Sequence, residues 1–474
     1  MLDIPDSAFR AYDIRGIVAG SAGAGKGMET DLDAERVRRL GCALGAYFLE
    51  HGERAAVIGH DCRHSSPSLH DALADGLLST GMDVTSLGMV PTPALYFGVR
   101  HLNRAAGVMI TASHNPPQYN GFKIWLGKST IHTTEIVRVR DLLRAGNFPR
   151  GRGLGCSVDI VPAYIDDIVG RFTLKRPMKA VVDGGNGAGG EMCVRVLERL
   201  GVEVVPLFCE PDGSFPNHHP DPVVHENMRQ LIETVLKTGA ELGIGLDGDG
   251  DRIGVCDAAG RFLHGDELLC LYARELLERK PGSRIIADIK SSGRLLDDIT
   301  EHGGQGEIWR SGHSVMKARM LETSAVLAGE MSGHMFFSDQ WHGFDDAIYA
   351  AARLIAILSA VSVPLTDLPG WPPACVTPEL QIPCPDAAKF SVIEKARAFL
   401  REQFPINDLD GARATTPDGW LLARASNTQP ALVLRYEASS AARIEELRDM
   451  LEPRLRRWIT EAADRRVPAQ TVQP

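Results

Sequence analysis

Residues 180–190 read Ala-Val-Val-Asp-Gly-Gly-Asn-Gly-Ala-Gly-Gly, an apolar run that ends at an aspartate and continues into a glycine-rich loop. A short apolar run bounded by such a loop is typical of a buried strand, and the helical pattern that follows predicts a strand–loop–helix unit. Similar runs occur at 57–66 and 285–293, at offsets of roughly 105–125 residues. The sequence therefore predicts three similar α/β domains in series.

Strand-like runs alternate with helical patterns along most of the chain, which favours α/β units with largely parallel sheets. A chain of 474 residues is long enough to form several hydrophobic cores. We predict three related mixed α/β domains followed by a smaller C-terminal α+β domain. The predicted boundaries give domains at 1–150, 151–257, 258–368 and 369–474.

Composition narrows the functional class. A net charge of −10 argues against a general affinity for nucleic acid or for anionic membranes. Nine cysteines without a Cys-x-x-Cys pair indicate neither a disulfide framework nor a zinc site, and they fit a reducing compartment. The N-terminus shows no export signal, and the apolar stretch at 348–365 is interrupted by Arg353. We expect a cytoplasmic protein without nucleic-acid or membrane partners.

One serine stands in a segment suited to nucleophilic chemistry. Residues 109–116 read Met-Ile-Thr-Ala-Ser-His-Asn-Pro, an apolar strand end that leads into a turn presenting Ser113. Serine is a weak nucleophile that needs a neighbouring base or cation, which His114, Lys123 and an aspartate-rich loop could supply. Ser-His-Asn-Pro is also ordinary turn chemistry. The segment alone is compatible with either role.

An aspartate-rich loop follows about 130 residues later. Residues 247–252 read Asp-Gly-Asp-Gly-Asp-Arg, and the two glycines allow the three carboxylates to converge. Three oxygen ligands suit Mg²⁺. An EF-hand is excluded because Arg252 and Ala258 stand where glycine and glutamate are required. Arg252 could neutralise a transferring phosphoryl group. A solvated acidic turn is the alternative.

Two glycine-rich segments resemble nucleotide-binding loops. Gly20–Gly27 approaches a Walker A loop, but Gly27 stands where Ser or Thr should contact Mg²⁺, so we interpret the segment as a flexible loop. Gly185–Gly190 matches Gly-x-Gly-x-x-Gly after a strand, with Glu210 further along. We interpret it as tight strand-to-helix packing rather than as a nucleotide site.

Two later loops carry recognition chemistry. Residues 329–334 read Gly-Glu-Met-Ser-Gly-His, in which Glu330 can accept hydrogen bonds from vicinal sugar hydroxyls and Ser332 or His334 can complete the set. Residues 424–428 read Arg-Ala-Ser-Asn-Thr and offer a cation, two hydroxyls and an amide for a phosphate, to which Arg435 could add a second cation. A capped helix turn and a capped loop are the respective alternatives.

These four segments, in this order and together with Ala11–Gly16, resemble the α-D-phosphohexomutases and are most similar to the bacterial phosphomannomutase/phosphoglucomutase group. The resemblance covers nearly the whole chain. It implies reversible interconversion of hexose 1-phosphates and 6-phosphates, of both mannose and glucose, through a phosphoserine and a 1,6-bisphosphate. It further implies four domains around one central cleft, one Mg²⁺, glucose 1,6-bisphosphate as activator, hexose phosphates as partners, and a monomer.

The resemblance also implies site roles. Ser113 carries the phosphoryl group and, with Asp247, Asp249 and Asp251, holds the metal. The transfer site is lined by Arg15, His114, Lys123, Arg252 and His313. The substrate is contacted by Tyr12 and Lys290, by Glu330, Ser332 and His334 at its 3- and 4-hydroxyls, and by Arg424, Ser426, Asn427, Thr428 and Arg435 at the phosphate that is not transferred. Lys123 and His334 both stand as candidates for the general base, and residues 19–33 have no assigned role.

The substrate can be narrowed within the family. Met331 stands where the glucosamine mutases typically carry glutamine, which argues against an amino sugar. Binding through the 3- and 4-hydroxyls alone would not distinguish the configuration at C2, and C2 is the centre at which mannose differs from glucose. Three alternatives to this function stay open: a phosphoglucosamine mutase, a phosphosugar phosphatase that admits water, and a non-catalytic sugar-phosphate sensor.

Overall fold

The computed structural model describes residues 4–19, 30–371, 374–426 and 430–464, which form four β-sheets. Gly20–Gly27 therefore lies outside the described residues. The elements of the first sheet and its helices are β1 (Ile14–Ile17), α1 (Ala34–Glu50), β2 (Ala55–His60), α2 (Ser66–Ser79), β3 (Asp83–Met89), α3 (Thr92–His101), β4 (Ala106–Ile110), β5 (Tyr119–Leu126), β6 (Ser129–Thr130), α4 (Thr134–Ala145) and β7 (Gly155–Ser157).

The second and third sheets follow directly along the chain. The elements of the second sheet and its helices are α5 (Val161–Val169), β8 (Lys179–Asp183), α6 (Gly190–Arg199), β9 (Glu203–Leu207), α7 (Arg229–Thr238), β10 (Leu242–Leu246), β11 (Ile253–Asp257) and β12 (Phe262–Leu263). The elements of the third sheet and its helices are α8 (Gly265–Arg279), β13 (Arg284–Asp288), α9 (Gly293–Glu301), β14 (Gln305–Trp309), α10 (His313–Thr323), β15 (Leu327–Gly329), β16 (Met335–Phe337) and α11 (Ala347–Ala360).

All three sheets share one strand order. It reads β3-β2-β4-β5 in the first sheet, β9-β8-β10-β11 in the second and β14-β13-β15-β16 in the third. In each, the first three strands are parallel and the fourth is antiparallel, so a hairpin closes one side of the unit. The predicted succession of three similar α/β units is confirmed.

The aspartates at the ends of the three central strands perform the same local task. Asp61, Asp183 and Asp288 each accept a hydrogen bond from the backbone N–H two residues later, at 3.0, 2.8 and 3.2 Å. Such a bond turns the chain sharply and starts the loop that leads to the next helix. The apolar runs before these aspartates are continuous rather than alternating because parallel strands are covered on both faces.

The fourth sheet has a different topology and is antiparallel throughout. It contains β17 (Cys375–Val376), β18 (Leu380–Pro383), α12 (Asp386–Arg401), β19 (Ile406–Asn407), β20 (Ala412–Thr416), β21 (Gly419–Ala425), β22 (Ala431–Ala438) and α13 (Ala441–Asp464). The strand order is β17-β22-β21-β20-β19, and β18 also pairs with β22. The expected α+β character of the last domain is confirmed.

Two predicted boundaries fall before their sheets end. Strand β7 pairs with β3, so the first sheet continues past residue 150. Strand β12 pairs with β11, so the second sheet continues past residue 257. Both strands lie at sheet edges and contain only two or three residues, which is too short for a periodic pattern to show in the sequence.

The hydrophobic cores show how the domains are joined. One continuous core includes residues of α3 from the first unit and extends through the second and third units, whereas the C-terminal domain has a separate core. Its junction with the third unit combines a small apolar cluster of Ile289, Trp420 and Leu422 with polar contacts. Arg413 Nη1 donates there to the carbonyl oxygens of Ile289 and Ser291 at 2.7 and 2.8 Å. Among the described helices, none has both the length and the apolar character needed to cross a bilayer.

Candidate active site

The site is assembled from the same loop of each repeated unit. The β4–β5 loop carries Ser113, the β10–β11 loop carries residues 247–252, and the β15–β16 loop carries residues 330–334. Ser113 Oγ donates to Asp247 Oδ2 at 2.6 Å. Ile253 N donates to the carbonyl oxygen of Gly333 at 3.0 Å and joins the second loop to the third. Because the units share a topology, their hairpin loops meet at one point.

Ser113 is held in an unusual backbone conformation. Its φ is +51°, in the left-handed region that residues with a β-carbon rarely adopt. Its N–H donates to Thr111 Oγ1 at 2.8 Å, and its Oγ lies 3.2 Å from His114 Nδ1. The neighbouring chain comes very close, because a β-carbon on Gly248 would lie 2.5 Å from the carbonyl oxygen of Ser113. Glycine at 248 is therefore required for the two loops to meet.

A fully buried arginine supports the serine loop. Arg63 pairs with Asp61, with Nε 3.1 Å from Oδ2, and donates to the carbonyl oxygens of Ser113, Asn115, Pro116 and Tyr119 at 2.6–3.1 Å. No motif in the sequence indicates this residue as part of the site. The available signal was its position directly after β2, which neighbours β4 in the sheet.

The three loop aspartates are fully buried and converge, with ligand oxygens within 4.8 Å of one another. Oδ1 of Asp249 has no hydrogen-bond partner in the described part of the chain, and Oδ1 of Asp251 has only His334 Nε2 nearby, at 3.2 Å. Thr92 Oγ1 donates to Asp249 Oδ2 at 2.5 Å, and Lys123 Nζ bonds to both Asp249 and Asp251. Buried carboxylate oxygens without donors are the hard ligands that Mg²⁺ prefers, so the residues present fit one such cation.

The pKa shifts of the aspartate loop reflect an excess of buried negative charge. Burial and the nearby carboxylates of Asp249 and Asp251 raise the pKa of Asp247 well above its usual range. For Lys123, burial alone would lower the pKa, but Asp249 and Asp251 raise it overall. The ammonium group therefore balances part of the negative charge, and a divalent cation would relieve the remaining repulsion.

Two histidines with opposite charge preferences lie beside the loop. For His334, the attraction of Asp251, whose Oδ1 lies 3.2 Å from Nε2, outweighs burial and raises the pKa to about 9. For His313, burial and the neighbouring Lys317 lower the pKa well below its usual range. Lys317 is in turn paired with Asp345 at 2.7 Å. These pKa shifts favour the protonated form of His334 and the neutral form of His313.

The transfer site is completed from both sides. Arg15 Nε lies 2.6 Å from Asp13 Oδ2, and its Nη1 donates to Asn115 Oδ1 at 2.9 Å. Arg252 Nε lies 4.0 Å from Asp247 Oδ2. Burial, Arg252 and Arg15 lower the pKa of His114 well below its usual range, so that its imidazole is neutral. The Ser113 hydroxyl itself contacts His114 Nδ1 and Asp247 Oδ2, and Arg15 binds the nearby Asn115.

The third loop presents the expected sugar-binding groups. Glu330 Oε1 accepts a hydrogen bond from Gly312 N at 2.6 Å, and Glu330 Oε2 lies 3.2 Å from His334 Nδ1. Ser332 Oγ lies 3.1 Å from the same His334 nitrogen. Tyr12 packs edge-on against His313, with ring centroids 5.8 Å apart. Carboxylate, hydroxyl and imidazole therefore form one polar group beside the metal loop.

The predicted phosphate-binding residues are partly described. Arg424 Nη2 lies 2.9 Å from Asp410 Oδ2, and its buried Nε has no acceptor among the described residues. Asn427 and Thr428 lie outside those residues. Arg435 is buried and donates from Nη1 to the carbonyl oxygen of Lys290, so it serves the junction with the third unit. Ser426 is also buried, next to Arg424 in the same loop.

The glycine-rich loop after β8 also contributes to the site. Ala188 N donates to the carbonyl oxygen of Gly248 at 3.0 Å. A β-carbon on Gly187 would lie 2.8 Å from that same oxygen. The loop that matches a dinucleotide fingerprint thus packs directly beneath the aspartate loop, in agreement with the prediction of tight packing.

Comparison with known proteins covers most of the chain. Models of the phosphoglucomutase/phosphomannomutase family match residues 6–146, 162–260 and 264–371 as its α/β/α domains I, II and III, and residues 379–453 as its C-terminal domain. A phosphomannomutase/phosphoglucomutase of Pseudomonas putida is 43% identical over 459 residues, covering 96% of each chain. A phosphoglucomutase of Neisseria gonorrhoeae is 43% identical over 95% of this chain and 96% of its own.

A solved structure agrees with these relatives. The crystal structure of a phosphoglucomutase/phosphomannomutase family protein from Burkholderia thailandensis is 40% identical. It superposes with a TM-score of 0.87, and the match covers 97% of this chain and 98% of that one.

Proposed function

The chain belongs to the phosphoglucomutase/phosphomannomutase family, and we propose that Ser113 carries the phosphoryl group in its reaction. The enzyme is a phosphohexomutase, which interconverts hexose 1-phosphates and hexose 6-phosphates. One observation carries the proposal: the Ser113 hydroxyl donates to Asp247 at 2.6 Å and so lies against three buried, converging carboxylates. A serine in that position can accept and return a phosphoryl group.

In the proposed reaction, phosphoserine 113 transfers its phosphoryl group to the free hydroxyl of a hexose 1-phosphate. The bond between phosphorus and Ser113 Oγ breaks, a bond to the sugar oxygen forms, and the hydroxyl proton passes to a base. The product is a hexose 1,6-bisphosphate. This intermediate then turns in the cleft and returns its other phosphoryl group to Ser113, which leaves the 6-phosphate.

We propose that Asp247, Asp249 and Asp251, together with a phosphoserine oxygen, hold one Mg²⁺. When bound, the cation neutralises charge on the phosphoryl oxygens and makes the Ser113 alkoxide a better leaving group. The chain supplies further positive charge of its own. Arg15 and Arg252 flank the serine loop and can bind the equatorial oxygens of the transferring group, where negative charge is spread.

The neutral imidazoles of His114 and His313 can donate hydrogen bonds without adding charge. Lys123 and His334 stay the two candidates for the base. The nearby carboxylates raise the pKa of both side chains, so either must first release a proton to act as a base.

Substrate recognition follows from the third loop and the C-terminal domain. Glu330, Ser332 and His334 form a group that suits the 3- and 4-hydroxyls, which glucose and mannose share. Because binding through these hydroxyls does not distinguish the configuration at C2, we propose that both sugars are accepted. Arg424 and Ser426, with Lys290 nearby, are proposed to bind the phosphate that is not transferred. Asn427 and Thr428 are proposed to complete that site.

We further propose that glucose 1,6-bisphosphate activates the enzyme by restoring phosphoserine 113. The protein is proposed to act as a monomer in the cytoplasm, without nucleic-acid or membrane partners. A net charge of −10 and nine free cysteines support this assignment.

The test is a coupled assay with glucose 1-phosphate and, separately, mannose 1-phosphate. Each reaction contains Mg²⁺, with and without a trace of glucose 1,6-bisphosphate, and 6-phosphate and inorganic phosphate are measured together. We expect 6-phosphate from both sugars, stimulated by the bisphosphate. Release of phosphate without isomerisation would instead indicate a phosphatase. Inactivity with both sugars would direct the test to glucosamine 1-phosphate and to simple binding.

A further inference from the structure

A carboxylate of the C-terminal domain lies among the cations assigned to the substrate phosphate. Glu379, in the connection between β17 and β18, places Oε1 2.5 Å from Nζ of Lys290, on the loop that follows β13. Burial would raise the pKa of Glu379, but Lys290, followed by Arg424 and Arg435, lowers it overall. Glu379 is therefore an ionised group within the field of all three cations.

The exposure of the two partners is unequal. The side chain of Lys290 is 9% exposed, whereas that of Glu379 is 39% exposed. A fixed structural ion pair would be closed off on both sides. Lys290 Nζ also lies 3.7 Å from Asp288 Oδ2 of its own unit, whereas the carboxylate of Glu379 is partly open to solvent.

Arg424 is also paired in part with a carboxylate. Its Nη2 faces Asp410, while its Nε has no acceptor among residues 4–19, 30–371, 374–426 and 430–464. The cations of this region thus have carboxylate oxygens as partners where a phosphate would offer oxygens of the same kind. An ammonium group at 2.5–2.9 Å from a carboxylate oxygen has the same geometry that it would adopt with a phosphate oxygen.

We propose that Glu379 is a built-in competitor of the substrate phosphate: its carboxylate occupies Lys290 in the free enzyme and is displaced when a phosphate dianion binds. This inference rests on the proposed function, because it requires the second phosphate to bind at Lys290 and Arg424. The ligand class is any phosphate dianion, including inorganic phosphate.

The return of Glu379 to Lys290 assists the reorientation of the bisphosphate intermediate in the cleft. A bisphosphate that must present first one end and then the other has to leave the phosphate site in every cycle. When it leaves, Glu379 returns to Lys290 and compensates its charge, which lowers the cost of release. Glu379 thereby weakens substrate binding and accelerates reorientation.

The opposite role would be to position Lys290 for the substrate. In that case removal of the carboxylate charge would loosen the lysine and weaken phosphate binding. The two roles predict opposite signs for one measured quantity.

The experiment measures the dissociation constant of inorganic phosphate by calorimetry, together with kcat and KM for glucose 1-phosphate, in Glu379→Gln. We expect phosphate to bind about 3- to 10-fold more tightly, as removal of one partly exposed ion pair allows. KM should fall by a similar factor, and kcat should fall because reorientation slows. Glu394→Gln, a 64% exposed carboxylate on α12, is the matched control and should change none of these values.

Two further variants separate the possible causes. In a Lys290→Ala background, Glu379→Gln should no longer tighten phosphate binding, because the pair it breaks is already lost. Unchanged or weaker binding in Glu379→Gln alone would overturn the competitor role while the phosphate site stands. If Arg424→Ala also leaves phosphate affinity unchanged, the phosphate site itself is elsewhere, and both assignments fail together.

Discussion

The guanidinium of Arg63 donates a hydrogen bond to the carbonyl oxygen of Ser113 at 2.7 Å, although the two residues stand fifty positions apart. Arg63 is fully buried, and its remaining donors bind three more carbonyl oxygens of the same loop as well as Asp61. The positive φ of Ser113 is thus fixed by a planar group with several donors beneath it. The Ser113 loop is thus supported by a residue that follows β2, in addition to the bond from Ser113 N to Thr111 Oγ1 within the loop.

Arg63→Lys tests this support. Lysine keeps the charge opposite Asp61 but cannot reach four carbonyl oxygens in one plane, so several buried acceptors lose their donors. We expect unfolding free energy to fall by about 2–4 kcal/mol and kcat to fall with it. Denaturant titration and the coupled assay measure both. Arg138→Lys, in an exposed pair with Glu50, is the control, and an equally small effect in both variants would contradict the role of Arg63.

Ser113→Ala tests the nucleophile. Without the hydroxyl no phosphoryl group can be held at this position, so we expect kcat to fall on the order of 10³-fold or more. Binding of glucose 1-phosphate should persist, because the contacts to the sugar and to its phosphate come from other loops. Ser68→Ala removes an exposed hydroxyl of the same domain and should be neutral. Near-normal turnover in Ser113→Ala would exclude a covalent phosphoserine.

Asp249→Asn tests the metal loop. The substitution keeps the size of the side chain but removes one of three converging charges, so the Mg²⁺ concentration at half activity should rise at least about 10-fold and kcat should fall. A metal titration of activity, together with direct Mn²⁺ binding, measures the change. Asp212→Asn alters an exposed carboxylate nearby and should leave both curves in place. Superimposable titrations for wild type and Asp249→Asn would remove Asp249 from the ligand set.

Asp346 allows a prediction about pH. Burial raises the pKa of this carboxyl from 3.8 to about 7, even though Tyr164, Trp341 and Tyr349 N all donate to it. Between about pH 4 and 7 the folded state then binds more protons than the unfolded state, so stability falls as pH rises through this window. The favourable contribution is fully present below about pH 4 and is lost above about pH 7.

Asp346→Asn should flatten this decline. Asparagine cannot ionise, yet it keeps an oxygen that can cap α11 by accepting from Tyr349 N. The free energy of unfolding is measured at pH 5 and pH 8 in both proteins. Asp33→Asn, which changes the aspartate that caps α1, is the control. If wild type and Asp346→Asn show the same pH dependence, Asp346 does not titrate in this range.

The sequence predicted the parts of the site that lie in single loops. Ser113, the three loop aspartates and Glu330 each stand in a short segment whose residue types already indicate the chemistry. The aspartates that end β2, β8 and β13 were visible for the same reason, since a strand followed by a side chain that accepts from the backbone is a local pattern.

Other residues could not be predicted because their role exists only after folding. Arg63, Lys317 and Glu379 contact the site across strands or across domains, and no local pattern distinguishes them from any other buried or exposed charge. Arg435, predicted to add a second cation for the phosphate, donates from Nη1 to the carbonyl oxygen of Lys290 at the junction, a contact that no local pattern in the sequence indicates. The edge strands β7 and β12 were missed because two or three residues carry no period.

The common strand order of the three units has a consequence for how this enzyme can change. In the proposed assignment, one hairpin loop carries the reactive serine, its equivalent in the second unit carries the metal-binding carboxylates, and its equivalent in the third binds the sugar. Each copy of the same hairpin loop is thus assigned a different part of the reaction. Exchanges of residues 330–333 are expected to redirect the enzyme toward other sugars, whereas His334 must be kept, because its Nε2 lies 3.2 Å from Asp251 Oδ1 and it is a candidate for the base.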